Sequence, residues 1–301
     1  LVLGVFFEPV KIHIKKGRGM KMLYGYEEYR LKEGISPGTL VTELELLKSF
    51  VRFLNLRNNK QLEPYEIKPA DVRAYLDQEK AKGLKASTVK RKLSHIRQYF
   101  HYLWKVGKVP VDFMPKFEYE LVIEKPVAQL LYSEFALEKK KVLQYPTLML
   151  NAKLYFLFAM AGFRMREIEK LRSRNFRDLG DRVEMNFVTS QAVFWQLTFE
   201  DPTEIAVIVQ AMERAVFREH DYLVASDKKY GPDYVRNNMK DIYSGLTALL
   251  PKSFKTEEVR IAYIYDLYKV QEKSFDEMAG LLGITPASLT SALKLVFERY
   301  K

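Results

Sequence analysis

Five apolar residues, Val89, Leu93, Ile96, Phe100 and Leu103, recur at helical spacing through a stretch that contains no acid. A stripe of that period fixes one helix face against a core and leaves the remaining positions at its flanks. Those flanks carry Lys90, Arg91, Lys92, Arg97 and Lys105, within a run of nine Lys and Arg from Lys80 to Lys108. Solvated helix faces usually mix charge signs, so a run of one sign fits contact with phosphates better than simple solvation. Ser87 is the expected N-cap.

Other helices precede this one. After Ser36-Pro37-Gly38, Thr39 is a plausible cap for a helix whose stripe is Leu40, Leu44, Leu47, Val51 and Leu54, widened by Phe50. Another begins at Pro69-Ala70-Asp71 and ends at Gly83. Upstream, Val10, Ile12 and Ile14 alternate beside Lys11, Lys15, Lys16, Arg18 and Lys21, with no acid between Glu8 and Glu27. We read residues 1–25 as a short strand and basic arm; a solvated charged tail fits them equally well. Pro110, Pro115 and Pro126 punctuate an aperiodic stretch that reads as a linker over 110–130. The domains expected are therefore an arm at 1–25, a helical domain at 26–109, the linker, and a second domain at 131–301.

The second half reads as helical with one β insertion. Helices are expected near 133–143, 148–160 and 166–172, the second apolar nearly all round and hence buried. Val183–Thr189 and Val193–Phe199 read as a hairpin about Ser190-Gln191-Ala192. Further helices follow near 202–219, 232–249, 256–268, 275–282 and 286–300.

Charge and residue counts narrow the function. The chain has 301 residues with 49 basic and 38 acidic, net +11. Residues 1–118 hold 23 of the basic and 13 of the acidic residues, so nearly all the excess lies there. Such a localised field suits a polyanion. The absence of Cys excludes disulfides, thiol catalysis and Cys-ligated metals, and permits a reducing compartment. The four His (His13, His95, His101, His220) have no metal-ligand spacing, so no metal site is expected. No phosphate loop and no Gly-x-Gly-x-x-Gly occurs, so neither nucleotide nor other cofactor is expected. The longest apolar stretch, Leu154 to Phe163, is about half a membrane span, and Leu1–Phe7 lacks the flanks of a signal peptide, so no membrane partner is expected. A start at Leu leads us to expect a natural N-terminus further upstream.

Several motifs occur in a telling order. Ala86-Ser87-Thr88-Val89-Lys90-Arg91-Lys92-Leu93 through Phe100 resembles the core-binding domain of tyrosine recombinases, the phage-integrase and Xer family. Ala161-Gly162-Phe163-Arg164-Met165-Arg166-Glu167-Ile168 is similar to that family's Gly-x-Arg-x-x-Glu box. Asp221-Tyr222-Leu223-Val224, then Thr256 to Arg260, resembles the region of the second arginine, and Leu281-Leu282-Gly283 the turn before the nucleophile helix.

The resemblance implies a mostly α, two-domain clamp round duplex DNA: a helical, SAM-like core-binding domain plus a helical catalytic-like domain with a small β-sheet. It implies an intracellular protein (cytoplasm or nucleoid) that can form a homo-oligomer on DNA. It also implies metal-free transesterification, in which Tyr attacks a DNA phosphate gripped by two Arg. Arg suits that grip because its planar fork stays charged and donates in parallel. Arg164 and Arg260 fall on the arginine positions, Glu167 on the buttressing acid, and Tyr300 is the candidate nucleophile. Lys85, Lys90, Arg91, Lys92, Arg97 and Lys105 are the candidate DNA contacts.

The match is partial. The hairpin has no Lys, Glu257 stands three before Arg260 with Lys255 two further back, and Ile284 follows Gly283. The expected Tyr position falls on Leu293 or Lys294. A missing Lys removes the general acid, and a Glu beside the phosphate would repel it. The preferred reading is thus a DNA-binding protein with an eroded active site. A working recombinase that uses Tyr300 is the alternative. A third reading takes Phe275–Leu289 as a helix-turn-helix whose exposed candidates are Thr285, Ser288, Ser291 and Lys294. For Arg164 and Glu167 the plain competing reading is an i,i+3 helix ion pair worth a few tenths of a kcal/mol. For Tyr300 it is a surface aromatic at the chain end.

Overall fold

The computed structural model describes residues 23–122 and 130–300. Lys11, Lys15, Lys16, Arg18 and Lys21 of the expected arm, and Pro126 of the expected linker, lie outside those residues. The chain divides into two compact units, one to residue 124 and one from 125.

The first unit is a helical cluster of α1 (Tyr26–Lys32), α2 (Pro37–Asn58), α3 (Pro69–Ala81) and α4 (Ala86–Lys105). The cap of α2 is Ser36, whose Oγ accepts the Thr39 amide at 3.3 Å, and Pro37 takes the first helical position. Thr39 therefore sits inside the helix: a Pro preset for that position pushes the cap to the residue before it. Ser87 likewise lies within α4, which begins after Lys85 with no side-chain cap. The stripe of α4 is fully buried, as are Leu40, Leu44, Leu47, Phe50 and Leu54 of α2. Val51 is only half-buried.

The stretch read as a linker belongs in large part to this unit. Val109, Met114 and Phe117 are buried in its core. Arg97 Nη2 donates to the Phe117 carbonyl at 2.8 Å, Arg73 Nη2 to that of Glu118 at 2.8 Å, and the Tyr119 hydroxyl to Asp77 at 2.8 Å. Extended backbone packs without the periodicity that marks a helix, so its apolar residues did not register as core.

A buried carboxylate holds α1, α2 and α4 together. Glu43 is fully buried, accepts from the Tyr26 hydroxyl at 2.5 Å and from Arg30 Nε at 3.1 Å, and lies 3.3 Å from His95 Nδ1.

The second unit is built on α6 (Leu150–Met160), whose residues Leu154 to Met160 are all buried. Packed with it are α5 (Tyr132–Gln144), α7 (Met165–Ile168), α8 (Pro202–Val216), α9 (Gly231–Thr247) and α10 (Thr256–Lys269). The sheet has three antiparallel strands, β1 (Phe176–Asp178), β2 (Val183–Val188) and β3 (Phe194–Phe199), in that order. Pairing runs from Val183 opposite Phe199 to Val188 opposite Phe194. Period-two alternation turns Val183, Met185 and Phe187 inward. At three residues, β1 is too short to alternate visibly and has no sequence signature.

The chain ends in α11 (Phe275–Leu282) and α12 (Pro286–Arg299), whose axes turn by 99° at Gly283. Ser274 and Thr285 cap them, and Gly283 takes the left-handed conformation with φ +57. That geometry is compatible with a helix-turn-helix. Yet the first turn of α12 lies against the hairpin, where Gln191 Nε2 donates to Ser288 Oγ at 2.7 Å. Among the described residues no single helix is long and apolar enough to cross a membrane.

Two expectations follow. Burial alone would raise the Glu43 carboxyl, but His95, Tyr26 and Arg30 outweigh it and hold the group below its ordinary 4.5. A depressed carboxylate contributes stability above its unfolded value and loses it as pH falls through the folded one. Glu43→Gln should therefore flatten the decline of the unfolding midpoint below about pH 4.5; an unchanged acid limb would contradict this. At Gly283 an added Cβ would lie 2.3 Å from Trp195 Cδ2, whereas at Gly280 it meets nothing within 4 Å. In urea unfolding Gly283→Ala should cost about 2–4 kcal/mol, from positive φ and overpacking together. Gly280→Ala, inside α11, should gain about 0.5–1 kcal/mol.

Candidate functional site

The site is made by the way α6 ends. The Phe163 amide donates to the Phe158 carbonyl at 2.9 Å and the Gly162 amide to that of Ala159 at 3.0 Å, while Gly162 has φ +86. This is a left-handed helix stop of the Schellman type, for which glycine is the natural residue. Space adds a second demand, since a Cβ on Gly162 would come within 3.0 Å of both Leu282 and Tyr263. The chain then turns directly into α7 with Arg164 as its N-cap, in extended backbone conformation.

Glu167 completes that turn. Its carboxylate accepts the Arg164 backbone amide at 2.8 Å, and the residue is 2% exposed. The i,i+3 pair is thus a helix cap between N-cap and N3 rather than an ion pair. The Arg164 side chain, half-buried, has no hydrogen-bond or ion-pair partner among the described residues.

Arg260 comes to the same place from α10. It is 3% exposed, its Nη1 donates to the Gly162 carbonyl, and its Nη2 is buried with no partner. Burial first, and the neighbouring Arg164 second, push its guanidinium down from 12.5 to about 10; Glu167 and Glu257 pull the other way. A buried cation beside a like charge, with one unsatisfied donor, is under an electrostatic strain that a bound anion would relieve. The base of α10 is fixed by Thr256, which hydrogen-bonds the hydroxyls of Tyr155 and Tyr243, each at 3.1 Å. Lys255 is exposed and pairs with Glu258 at 2.9 Å.

Arg164, Glu167 and Arg260 are therefore brought together. The Tyr300 hydroxyl donates to the Leu130 carbonyl at 2.5 Å, and its ring stacks on Tyr265 at 4.1 Å. Tyr265 is five residues beyond Arg260, about 140° round α10. Burial, then Tyr265, raises the Tyr300 phenol to about 12, which keeps it protonated at neutral pH. No group of three metal-ligating side chains occurs among the described residues.

The sequence reading did not single out Trp195. This 1%-exposed residue of β3 stacks on Phe163 at 4.0 Å, beside Arg164, and packs face-on over Gly283. Its Nε1 is buried with no partner. It joins the arginine turn to the entry of α12. A lone Trp inside an alternating strand carries no signal that would set it apart from ordinary core.

On α4 the candidate DNA contacts divide. Lys85, Lys90 and Arg91 are exposed. Lys92 is turned inward, paired with the buried Glu79 at 2.6 Å and reaching the Tyr75 hydroxyl at 3.3 Å. Arg97 holds the Phe117 carbonyl, as above, and Lys105 reaches the Tyr29 hydroxyl at 3.2 Å.

Comparison with known proteins bears on both units. Residues 24–107 match the family model described as phage integrase, N-terminal SAM-like domain. Tyrosine recombinase XerC of Thermodesulfovibrio yellowstonii is 30% identical over 83 residues, 28% of this chain and 26% of that protein. This chain thus aligns with about a quarter of that relative's length. The fold is similar to that of a lambda integrase (residues 75–356) dimer bound to a COC' core site, with TM-score 0.62 and 16% identity over 91% of this chain and 94% of that one. The Tn1549 transposon integrase in complex with circular intermediate DNA gives TM-score 0.61 and 12% identity over 92% and 93%.

The arginine pair predicts a measurable linkage. A bound anion should raise the unfolding temperature by relieving the like-charge strain. At ten times its Kd the gain is about 1.4 kcal/mol, or roughly 3–5 °C in a unit of this size. Titrated with sulfate, Arg164→Gln and Arg260→Gln should each show a smaller increment than the wild type. Equal increments in all three proteins would refute the receptor.

Proposed function

We propose that this chain, which has the N-terminal domain and the two-domain fold of a tyrosine recombinase, binds duplex DNA through a recombinase scaffold whose cleavage chemistry is eroded. The observation that carries this reading is the arginine pair itself. Arg164 and Arg260 keep a phosphate receptor with no carboxylate salt bridge to quench it, while the Tyr300 hydroxyl is spent on the Leu130 carbonyl.

In this reading the two units divide the labour. Lys85, Lys90 and Arg91 on α4 supply a diffuse attraction to the DNA backbone, which positions the protein without reading sequence. The second unit adds fixed donors: Arg260, aligned by the Gly162 carbonyl, and Arg164, aligned by the Glu167 cap, grip one phosphate from two directions. Such placed charge would stabilise a pentacoordinate phosphorus if a nucleophile arrived. The groups that would finish the reaction are not in position. The hairpin turn carries Gln191, which hydrogen-bonds Ser288, where a general acid would be needed. The scaffold also suits assembly of more than one copy on a DNA site.

The working-recombinase alternative makes a different prediction, and one assay separates the two. A duplex nicked beside the binding site should be bound tightly and yield no covalent protein–DNA adduct. An adduct abolished by Tyr300→Phe would establish the recombinase instead. For the binding half, the triple variant Lys85→Gln, Lys90→Gln, Arg91→Gln should lower the slope of log K against log[salt] by about 2–3. Lys92→Gln should chiefly lower stability, because it leaves the buried Glu79 with only Lys82 of its two lysine partners. An unchanged slope in the triple variant would remove α4 from the interface.

A further inference from the structure

The second unit contains a cavity of about 450 Å³ that the arginine pair does not use, lined by Arg172, Arg218, His220, Tyr222 and Tyr230 among others. It is built on the strand-like segment 221–224, which pairs with the chain leaving α7: the Leu223 amide donates to the Leu171 carbonyl at 3.0 Å, and that of Ser173 to Asp221 at 2.7 Å. Arg172 lies eight residues after Arg164, on the far side of the short α7.

The walls are rigid. Arg172 donates to Asp221 and to the Tyr222 hydroxyl, each at 2.8 Å, and lies over the Tyr222 ring at 4.2 Å. Tyr222 stacks on Tyr230 at 5.0 Å and 22°, and Tyr230 meets the His220 ring at 4.4 Å with a tilt of 45°. The column Arg172–Tyr222–Tyr230–His220 thus clamps the loop between them.

Three polar features in this framework lack adequate partners. The Arg218 side chain is 9% exposed, yet its contacts are long: 3.4 Å to Asp227, itself 90% exposed, and 3.4 Å to the Tyr222 carbonyl. His220 uses Nε2 on the Ser226 carbonyl at 2.9 Å, which leaves Nδ1 buried without a partner. Tyr230 is the N-cap of the 17-residue α9 and offers no side-chain acceptor to its first-turn amides. A buried guanidinium held loosely and a helix N-terminus share one preferred ligand, an oxyanion. His220 Nδ1, the acceptor nitrogen of a ring whose Nε2–H donates to Ser226, adds no bond to it. Of the acids in the lining, Asp221 is shared by Arg172 and Arg174, and Glu219 is exposed to solvent, which screens it.

We infer that this cavity is a second phosphate site, distinct from the Arg164–Arg260 receptor, and that its ligand is a backbone phosphate of the bound duplex. The choice of DNA over free phosphate rests on the DNA-binding reading above; the affinity for an oxyanion does not.

The experiment uses the full chain and the variants Arg218→Gln, Arg218→Lys and His220→Gln, each first checked for an unchanged circular dichroism spectrum. Affinity for a duplex is measured from 50 to 300 mM salt, and thermal unfolding is followed with added inorganic phosphate. Arg218→Gln should weaken duplex binding several-fold and lower the salt slope by about one, while Arg218→Lys retains the slope. His220→Gln, which can still donate to Ser226 and leaves the guanidinium in place, should keep affinity and slope near wild type. A loss as large as that of Arg218→Gln would overturn the assignment to Arg218. If wild type binds DNA tightly and Arg218→Gln matches it in affinity and slope, the site is refuted and the DNA reading stands. If wild type does not bind DNA, the DNA reading falls and the phosphate arm decides. A stabilisation by phosphate that is lost in Arg218→Gln but kept in Arg164→Gln supports an oxyanion site for free phosphate. Equal stabilisation in all variants overturns it.

Discussion

The hydrogen bond from Arg260 to the Gly162 carbonyl ties together most of what gives the second unit its chemical character. It forms only because α6 stops at a glycine in the left-handed conformation, which frees that carbonyl and swings Arg164 onto the next helix. It also explains why a guanidinium can be buried there without a carboxylate. One N–H edge is satisfied by backbone, and the other is buried with no protein partner among the described residues. A carboxylate partner would make the fold more stable and the site useless for anions, since the cation would already be neutralised.

The surrounding packing protects that arrangement. Trp195 touches Phe163 and Gly283, so it packs the sheet, the arginine turn and the entry to α12 against one another. Both glycines are required by φ as well as by space, and each faces an aromatic ring, Tyr263 for Gly162 and Trp195 for Gly283. Small residues at these points let rings lie close to backbone, and a site held by ring-on-backbone contact has little freedom to reorganise.

Much of this was legible in the sequence, and the parts that were not share a cause. The stripe of α4, the all-apolar α6 and the hairpin declared themselves because each repeats over several residues. The Gly-x-Arg-x-x-Glu spacing correctly joined Arg164 to Glu167 but could not say how. An ion pair and an N-cap-to-N3 cap both span three residues, and only the backbone conformation at Arg164 separates them. In the same way, Lys92 and Lys90 look alike in a basic run. Which of them points at Glu79 depends on how α3 crosses α4, a contact between residues thirteen apart. Extended segments such as 109–121 and the three-residue β1 carry no period, so their burial is invisible until tertiary structure supplies the partner.

The charge distribution takes a different meaning once these contacts are known. The positive excess before residue 118 is partly spent inside the fold: Arg30 and Lys92 neutralise buried acids, and Arg97 holds a carbonyl. The net excess is unchanged by such pairing, but fewer of these side chains are free to move onto a polyanion than the count of basic residues suggests. On α4 those without a protein partner among the described residues are Lys85, Lys90 and Arg91. The near-neutral second unit reverses the pattern, because Arg164, Arg218 and Arg260 sit close to like charge or beside weak partners rather than in strong salt bridges. Unquenched cations destabilise a folded chain until an anion reaches them, so any anion that binds must also stabilise the unit that binds it. Binding and stability are linked through the same few guanidinium groups.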